Sequence, residues 1–254
     1  MGIMTETNFS ERYSRQIRLP RVGEAGQRKL FESAVLIIGM GGLGSPAAMY
    51  LTAAGVGRLT LADFDRVDES NLQRQIIHGH GDIGALKADS AARTLRALNP
   101  AVEVVTLDYS LDYDDFREQA GGVDVMVDCT DNFPTRFEMN RVSLETETPL
   151  ISGAAIRWEG QVTAFDPRMP DSPCYQCLYP DENIESATCE MEGVISPLVG
   201  VVGAMQAMET VNILLGHGQL SGVLWLFDAH AMEWQRVQLP KNPHCPACGR
   251  AGSG

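Results

Sequence analysis

Short apolar segments and segments with helical spacing alternate along the first 154 residues of the chain. The apolar segments, each about the length of a strand, are residues 34–38, 58–63, 102–108, 122–130 and 148–154. The helical segments are residues 24–32, within a polar amphipathic lead-in over 11–33, and residues 84–99, 112–120 and 133–147. Strands that alternate with helices predict an α/β fold with a mostly parallel sheet and helices on both of its faces.

The pattern changes after about residue 154. Three later segments, residues 161–166, 222–228 and 233–239, alternate apolar and polar positions. This alternation is typical of antiparallel strands with one face in solvent. Between them, residues 170–196 are rich in Pro, Asp and Cys and follow no period. An irregular segment of this length inside a domain is usually functional or disordered.

Residues 193–216 form the longest apolar stretch of the chain. They include polar residues such as Gln206 and Glu209, which make the stretch too polar for a helix facing lipid. We therefore expect a buried helix with Pro197 at its first position. The sequence leaves open whether this helix lies in the core or forms a contact between two copies of the chain.

The charge balance narrows the choice of partners. The 254 residues include 33 acidic and 20 basic side chains, a formal net charge of −13. Nucleic acid and anionic membranes both reward a basic surface, so we expect neither as a general partner. The first 16 residues show neither the basic nor the apolar region of a secretion signal. We expect a cytoplasmic protein.

A glycine-rich turn follows the first apolar segment, in the sequence AVLIIGMGGLG. A strand, a G-x-G-x-x-G turn and a helix in this order form the dinucleotide-binding fingerprint of Rossmann-like folds. Gly39 permits a tight turn, Gly41 lets the backbone approach a phosphate, and Gly44 lets the helix pack closely on the strand. Together with Gly42, these glycines predict a nucleotide site at the N-terminus of the helix.

An acidic residue, Asp63, ends the second predicted strand, nineteen residues after Gly44. Asp at this place accepts hydrogen bonds from ribose hydroxyls. The alternative is a strand-end Asp that caps a loop. Taken alone, the glycine turn and Asp63 would indicate an NAD-dependent oxidoreductase.

The residues after Asp63 indicate a triphosphate instead. The candidate site residues of this region are Asp65, Asn71, Gln73, Arg74 and Lys87. The cations among them would neutralise charge as pyrophosphate leaves, whereas a nicotinamide site has no such need. The alternative for Arg74 and Lys87 is ordinary surface charge.

Asp131 and Asn132 follow the fourth predicted strand. Ligands in open α/β sheets bind beyond the carboxyl ends of the strands, so a carboxylate here is placed for Mg²⁺. Either residue could instead cap the helix that begins near Phe133. Both roles are compatible if each residue takes one.

Four of the six cysteines form two C-x-x-C pairs, Cys174 with Cys177 and Cys245 with Cys248. In a chain without a secretion signal, such pairs favour a tetrahedral zinc site over disulfides. Four thiolates leave no open position on the metal, so we expect a structural zinc that ties the C-terminal tail to the irregular segment. Two separate redox pairs are the alternative.

The other two cysteines differ in context. Cys129 follows an apolar strand and is expected to be a small buried residue. Cys189 lies in the irregular segment outside both pairs, which makes it a candidate nucleophile. Its neighbours Glu190 and Glu192 would raise the pKa of its thiol, so a bystander role is the alternative.

Together these motifs resemble the ThiF/MoeB/HesA family of E1-like enzymes. The resemblance covers nearly the whole chain and is carried by RYSRQI (12–17), GMGGLG (39–44), DFD (63–65), SNLQRQ (70–75), Lys87, DCTDN (128–132), SGAAIRWEGQ (152–161), CYQC (174–177), Cys189 with Gly193, and CPAC (245–248). It implies one E1-like domain over residues 1–254, with a nucleotide-binding core at 34–152. Residues 153–254 would then bind the carrier, hold the zinc and form a dimer.

The resemblance implies a function. Such an enzyme adenylates the C-terminal glycine of a ubiquitin-like sulfur-carrier protein ending in Gly-Gly, using MgATP and releasing pyrophosphate. The acyl-adenylate then becomes a thiocarboxylate. The sulfur would come from a separate desulfurase or rhodanese, because no rhodanese-like domain follows the cysteine-rich tail.

The resemblance also implies roles for the site residues. Asp63 would hold the ribose, and Asp131 would hold Mg²⁺. The phosphates would be bound by Asn71, Arg74 and Lys87. In the homodimer, Arg15 would reach the nucleotide site of the partner. Cys189 matches a position that bonds the carrier in some relatives and is dispensable in others.

Two carriers and two other classes of function remain as alternatives. The segments DFD and SGAAIRWEGQ favour the molybdopterin-synthase carrier over the thiamin thiazole carrier. An NAD-dependent oxidoreductase would leave Arg74 and Lys87 unexplained. A non-catalytic scaffold that only binds the carrier would not need Asp131 or Lys87.

Overall fold

A computed structural model describes residues 6–181 and 192–249 of the chain. The helices are α1 (Glu6–Arg12), α2 (Ser14–Ile17), α3 (Gly23–Glu32), α4 (Gly44–Ala54), α5 (Lys87–Leu98), α6 (Tyr113–Gly121), α7 (Phe133–Thr146), α8 (Tyr175–Leu178) and α9 (Ser196–Leu215). The strands are β1 (Ala34–Ile38), β2 (Arg58–Ala62), β3 (Glu103–Leu107), β4 (Val125–Asp128), β5 (Leu150–Ile156), β6 (Glu159–Phe165), β7 (Val223–Asp228) and β8 (Glu233–Gln238).

All of these strands belong to one eight-stranded sheet with the order β3-β2-β1-β4-β5-β6-β7-β8. The strands from β3 to β5 are parallel. Each of β6, β7 and β8 pairs antiparallel with the strand before it. The predicted α/β fold with a parallel part and an antiparallel C-terminal part is therefore confirmed. The structure adds that the antiparallel strands extend the same sheet.

Helices cover both faces of the parallel part, and β1 shows how. Its side chains alternate, because successive residues of a strand point to opposite faces. Val35 and Ile37 belong to a core that also includes residues of α4, α5 and α9. Leu36 and Ile38 belong to a second core with residues of α6 and α7. A strand buried on both faces explains the uninterrupted apolar sequence of β1.

Helix α9 is a core helix of this domain. It packs against α4, β4, β5 and β6. It is long and apolar enough to cross a membrane, yet 56% of its most apolar window is buried inside the protein. Pro197 is its second residue rather than its first, because the helix begins at Ser196. The N–H groups of the first turn have no partner within the helix, so proline is tolerated at either position.

Candidate active site

A cavity of about 420 Å³ opens at the carboxyl ends of β1, β2 and β4. Strand β1 pairs with β2 on one side and β4 on the other, so the cavity lies where the strand order reverses. Most of the predicted nucleotide-site residues line it, namely Gly39, Gly41, Gly42, Asp63, Asp65, Arg74, Lys87, Asp131 and Asn132. Gly44, Asn71 and Gln73 lie outside its wall.

The glycine turn needs its glycines for close backbone approach. Gly39 has φ +91°, and a Cβ there would lie 2.7 Å from the carbonyl oxygen of Cys129. A Cβ on Gly44, the first residue of α4, would lie 1.9 Å from the carbonyl oxygen of Gly39. The turn thus folds back on itself and against the end of β4, and larger residues would force it open.

Asp63 supports the glycine turn from the end of β2. One carboxylate oxygen accepts a hydrogen bond from the backbone N–H of Met40 at 2.7 Å, and the other from that of Asp65 at 2.9 Å. Burial raises the pKa of Asp63, while the nearby charge of Lys87 opposes this effect. In this structure Asp63 therefore makes the contacts expected of a strand-end residue that caps a loop. The role of Asp63 toward ribose stays a prediction.

Lys87 and Arg74 bring positive charge to the cavity. Lys87 begins α5 and is buried, with Nζ 2.9 Å from Oδ2 of Asp65. Its backbone N–H also donates to the carbonyl of Asp65 at 2.8 Å. Arg74 is half-buried and donates from Nη1 to the carbonyl of Ser70 at 3.1 Å. Surface charge is therefore the wrong interpretation for Lys87.

Asn132 and Asp131, which follow β4, have different roles. The side chain of Asn132 accepts a hydrogen bond from the backbone N–H of Thr135 at 3.0 Å and so caps α7. Asp131 is exposed at the cavity. The capping role predicted for one of the two thus belongs to Asn132, which leaves the carboxylate of Asp131 available to a ligand.

Sequence reasoning missed a buried ion pair beside this turn. Arg136 and Asp128 are both buried, with Arg136 Nε 3.3 Å from Asp128 Oδ2, and Arg136 also lines the cavity. Burial disfavours the charge of Arg136, but Asp128 and Tyr175 together raise its pKa above the ordinary value. An arginine in the first turn of a polar helix resembles a solvated charge, so the sequence carries no signal of this pair.

The two cysteine pairs meet although 71 residues separate them. The four Sγ atoms lie within 4.8 Å of one another, with Cys174 and Cys245 3.6 Å apart and Cys177 and Cys248 3.5 Å apart. Tetrahedral Zn–S bonds of about 2.3 Å place sulfur atoms about 3.8 Å apart, so the cluster can hold a metal ion. Burial raises the pKa of Cys174 to about 11, so its thiolate needs a nearby cation at neutral pH.

Three predicted residues remain. Cys129 is a buried residue of the cavity wall, and burial raises the pKa of its thiol, as expected of a structural cysteine. Arg15 is exposed in α2 and does not line the cavity of its own chain. Cys189 lies outside the described residues.

Comparison with known proteins places the chain among relatives of similar length. It is 45% identical to the SAMP-activating enzyme E1 of Haloferax volcanii, over 99% of this chain and 93% of the relative. It is 42% identical to the sulfur carrier protein ThiS adenylyltransferase of Escherichia coli, over 97% of each chain. The molybdopterin-synthase adenylyltransferase of Salmonella typhimurium is also 42% identical, over 94% of this chain and 96% of the relative.

A solved structure agrees with the fold. Escherichia coli MccB, crystallised with MccA-N7isoASN, superposes with a TM-score of 0.81 at 21% identity, over 94% of this chain and 75% of that one. The sequence profile of the ThiF family matches residues 13–247. The chain therefore belongs to the ThiF family.

Proposed function

We propose that this protein adenylates the C-terminal glycine of a ubiquitin-like sulfur-carrier protein with MgATP and releases pyrophosphate. The observation that carries the proposal is the convergence of Asp63, Arg74, Lys87 and Asp131 on one cavity beside the glycine turn. An NAD-dependent oxidoreductase would use the turn and Asp63 but would leave the two cations and the free carboxylate without a task. Relatives of nearly equal length carry the names of adenylyltransferases, which supports the same class of reaction.

The proposed reaction requires that the protein place the carrier carboxylate against the α-phosphorus and neutralise the phosphate charge. The carboxylate of the carrier is itself the nucleophile at the α-phosphorus, so no general base is needed. In this proposal the glycine turn and the N-terminus of α4 face the phosphates, and Asp63 binds the ribose. Lys87 and Arg74 neutralise the phosphate charge, helped by the predicted contacts of Asn71 and Gln73 in the loop of Arg74.

The carboxylate of Asp131 fits Mg²⁺. This cation prefers one or two carboxylates combined with phosphate oxygens and water, and Asp131 is an exposed carboxylate at the cavity. When bound, Mg²⁺ would offset the negative charge of the triphosphate. The protein's part is to hold the Asp131 carboxylate toward the phosphate end of the cavity.

The cysteine cluster fits zinc. Its four sulfur ligands and their spacing match a closed structural site, which leaves no position for substrate. In this proposal the zinc ties the segment around Cys174 and Cys177 to the C-terminal tail. It supplies stability and takes no part in adenylation.

We further propose a homodimer in which Arg15 enters the nucleotide site of the partner. Apolar residues are exposed on two neighbouring helices, Met208 of α9 at 64% and Tyr50 of α4 at 60%. In this proposal the two side chains belong to the dimer surface, because contiguous exposed apolar surface marks interaction sites. Residues 153–254 would then serve carrier binding, zinc binding and dimerisation, and 34–152 would bind the nucleotide.

Exchange of radiolabelled pyrophosphate into ATP tests the proposal. The protein is incubated with MgATP and, in separate arms, with the molybdopterin carrier or the thiamin carrier. Each carrier without its terminal Gly-Gly is the control. We expect exchange with an intact carrier, strongest with the molybdopterin carrier, and none with either control.

Other outcomes would favour the rival functions. Tight binding of NADH without ATP binding would support the oxidoreductase. Carrier binding without exchange would support the scaffold.

If exchange occurs, mixing the adenylated carrier with a desulfurase or a rhodanese would identify which sulfur donor forms the thiocarboxylate. A Cys189→Ala variant would show whether that step needs this cysteine.

A further inference from the structure

A buried polar cluster lies directly behind the turn that carries Asp131. Its centre is Asp128, which is 1% exposed and ends β4. One oxygen of Asp128 accepts hydrogen bonds from the backbone N–H of Thr130 at 3.0 Å and from its hydroxyl at 2.7 Å. The other accepts from the hydroxyl of Ser152 at 2.7 Å and lies 3.3 Å from Arg136 Nε. The charge of Asp128 is thus fully compensated inside the protein.

Arg136 links this cluster to the backbone on two sides. Its Nη2 donates to the carbonyl of Thr130 at 2.5 Å and to that of Gly153 at 3.2 Å. The first carbonyl belongs to the residue before Asp131, and the second belongs to β5. The planar guanidinium therefore holds the turn after β4 and the neighbouring strand at one fixed distance. The single ammonium of lysine offers no such fork.

Two other elements close the cluster. From α9, Gln206 donates to the backbone carbonyl of Asp128 at 2.6 Å. Gln206 also packs on Gly153, where a Cβ would come within 2.4 Å of its side chain. The backbone N–H of the buried Tyr175 in α8 donates to the side chain of Asn140 at 2.8 Å, which ties α8 to the helix that carries Arg136. The turn is thus held from α7, β5 and α9, which leaves it little freedom.

We propose that Arg136 is a positioning residue of this site: it fixes the Thr130–Asp131 turn so that the Asp131 carboxylate is held toward the cavity. The inference rests on the proposed function for the role of Asp131 as a ligand of Mg²⁺. Residues that orient a metal ligand from behind change metal affinity or activity by about 10- to 100-fold when they are replaced. Loss of the Arg136 contacts is therefore expected to raise the Mg²⁺ concentration that ATP binding requires. The direct contacts of the protein with the nucleotide should change less.

The test measures ATP binding by calorimetry at increasing Mg²⁺ concentration, without a carrier. For Arg136→Lys we expect the Mg²⁺ concentration at half-maximal ATP binding to rise about 10-fold or more. For Ser152→Ala, which removes one of the bonds to Asp128 and keeps the ion pair, we expect a rise of about 2- to 5-fold. The matched control is Arg168→Lys, which alters an Arg–Asp pair with Asp166 outside the cavity. It is expected to keep the wild-type dependence.

The outcomes separate this inference from the proposed function. Wild-type Mg²⁺ dependence in both Arg136→Lys and Ser152→Ala would overturn the inference, whether or not the wild type catalyses exchange. A shifted dependence in a protein that catalyses no exchange with any carrier would support the inference and overturn the function. Absence of ATP binding by the wild type would overturn both. If Arg136→Lys does not fold, Ser152→Ala decides the question, because it is the smaller change.

Discussion

Lys87 and Asp65 form an ion pair in which one partner is buried and the other is exposed. The side chain of Lys87 is 9% exposed and that of Asp65 is 57% exposed, with 2.9 Å between Nζ and Oδ2. Removal of Asp65 and removal of Lys87 should therefore change the free energy of unfolding by different amounts. Without Asp65, the buried ammonium loses its ion-pair partner and keeps only the nearby charge of Asp63, whereas without Lys87, the exposed carboxylate of Asp65 remains hydrated.

This asymmetry predicts unequal effects of two substitutions on stability. Asp65→Asn is expected to lower the free energy of unfolding by about 1 to 3 kcal/mol. Lys87→Met is expected to change it by less, and to lower pyrophosphate exchange by about 100-fold or more because a phosphate-facing charge is lost. Urea denaturation and the exchange assay on both variants check the prediction. Greater destabilisation by Lys87→Met would contradict it.

The turn after β4 predicts a second pair of variants. Asp131→Asn should abolish measurable exchange and leave stability unchanged, because its carboxylate is exposed and does not cap α7. Asn132→Ala should cost about 1 kcal/mol of stability through loss of the helix cap. Thermal unfolding of the two variants beside the exchange assay separates the roles. Full exchange by Asp131→Asn would remove this residue from the mechanism.

The cysteine cluster predicts about one zinc ion per chain. Cys245→Ser should lose the metal and lower the melting temperature, because the C-terminal tail is no longer tied to the segment around Cys174. The control is Cys129→Ala, which removes a buried thiol outside the cluster and should keep its zinc. Elemental analysis of the purified proteins gives the metal content. Metal-free wild-type protein with an unchanged melting curve would refute the assignment.

His78 predicts a dependence of stability on pH. Its ring nitrogens lie 2.9 Å from the carbonyl oxygen of Met40 and 2.9 Å from the hydroxyl of Ser90, so it braces the glycine turn from behind. Burial lowers its pKa from 6.5. The unfolded chain therefore binds the proton more readily, and the stability contributed by neutral His78 is complete above pH 6.5 and is lost as the pH falls below it.

Urea denaturation at pH 7.5 and pH 5.5 tests this dependence. The wild type should lose more stability on acidification than His78→Gln, whose side chain does not titrate. His80→Gln serves as the control, because His80 is 84% exposed and should leave the wild-type difference in place. An equal loss in wild type and His78→Gln would show that other groups control the acid response.

The proposed dimer predicts complementation between two inactive variants. Arg15→Ala and Asp131→Ala should each abolish exchange. In an equal mixture that has exchanged subunits, half of the dimers are mixed, and each mixed dimer has one site with both residues intact. We therefore expect about a quarter of wild-type activity to return. Failure to recover activity, with subunit exchange shown by native mass spectrometry, would mean that Arg15 acts within its own chain.

The parallel half of the fold was predictable because apolar strand segments and helical segments alternate along the chain. The apolar sequence of β1 can be buried only between two layers of helices, and the glycine turn can follow only a strand of this kind. The C-terminal strands were predictable as antiparallel but not as part of the same sheet. The expected burial of one face was wrong for the last two strands, because Val223 and Leu224 of β7 are both buried and β8 is exposed along its length. The sequence pattern of such a strand also says nothing about its neighbouring strand.

The site was predictable as far as its residues lie in motifs. Lys87 and Asp131 follow recognisable signals, and the structure brings both to one cavity. The two cysteine pairs also meet as expected. Arg136 was not predictable, because its task depends on the carbonyls of Thr130 and Gly153, which come together only in the folded protein. A hydrogen bond to a backbone carbonyl does not depend on the residue type that carries it, so it leaves no pattern in the sequence.

The position of β1 in the middle of the sheet has a consequence for synthesis on the ribosome. The backbone N–H of Ala34 pairs with the carboxylate of Asp124, 90 residues later, and β1 gains its second neighbouring strand only from β4. At a translation rate of about 5 to 20 residues per second, the most apolar strand of the domain waits about 5 to 20 seconds for that partner. During this interval the nascent chain exposes an unpaired strand edge, which is the kind of surface that chaperones shield.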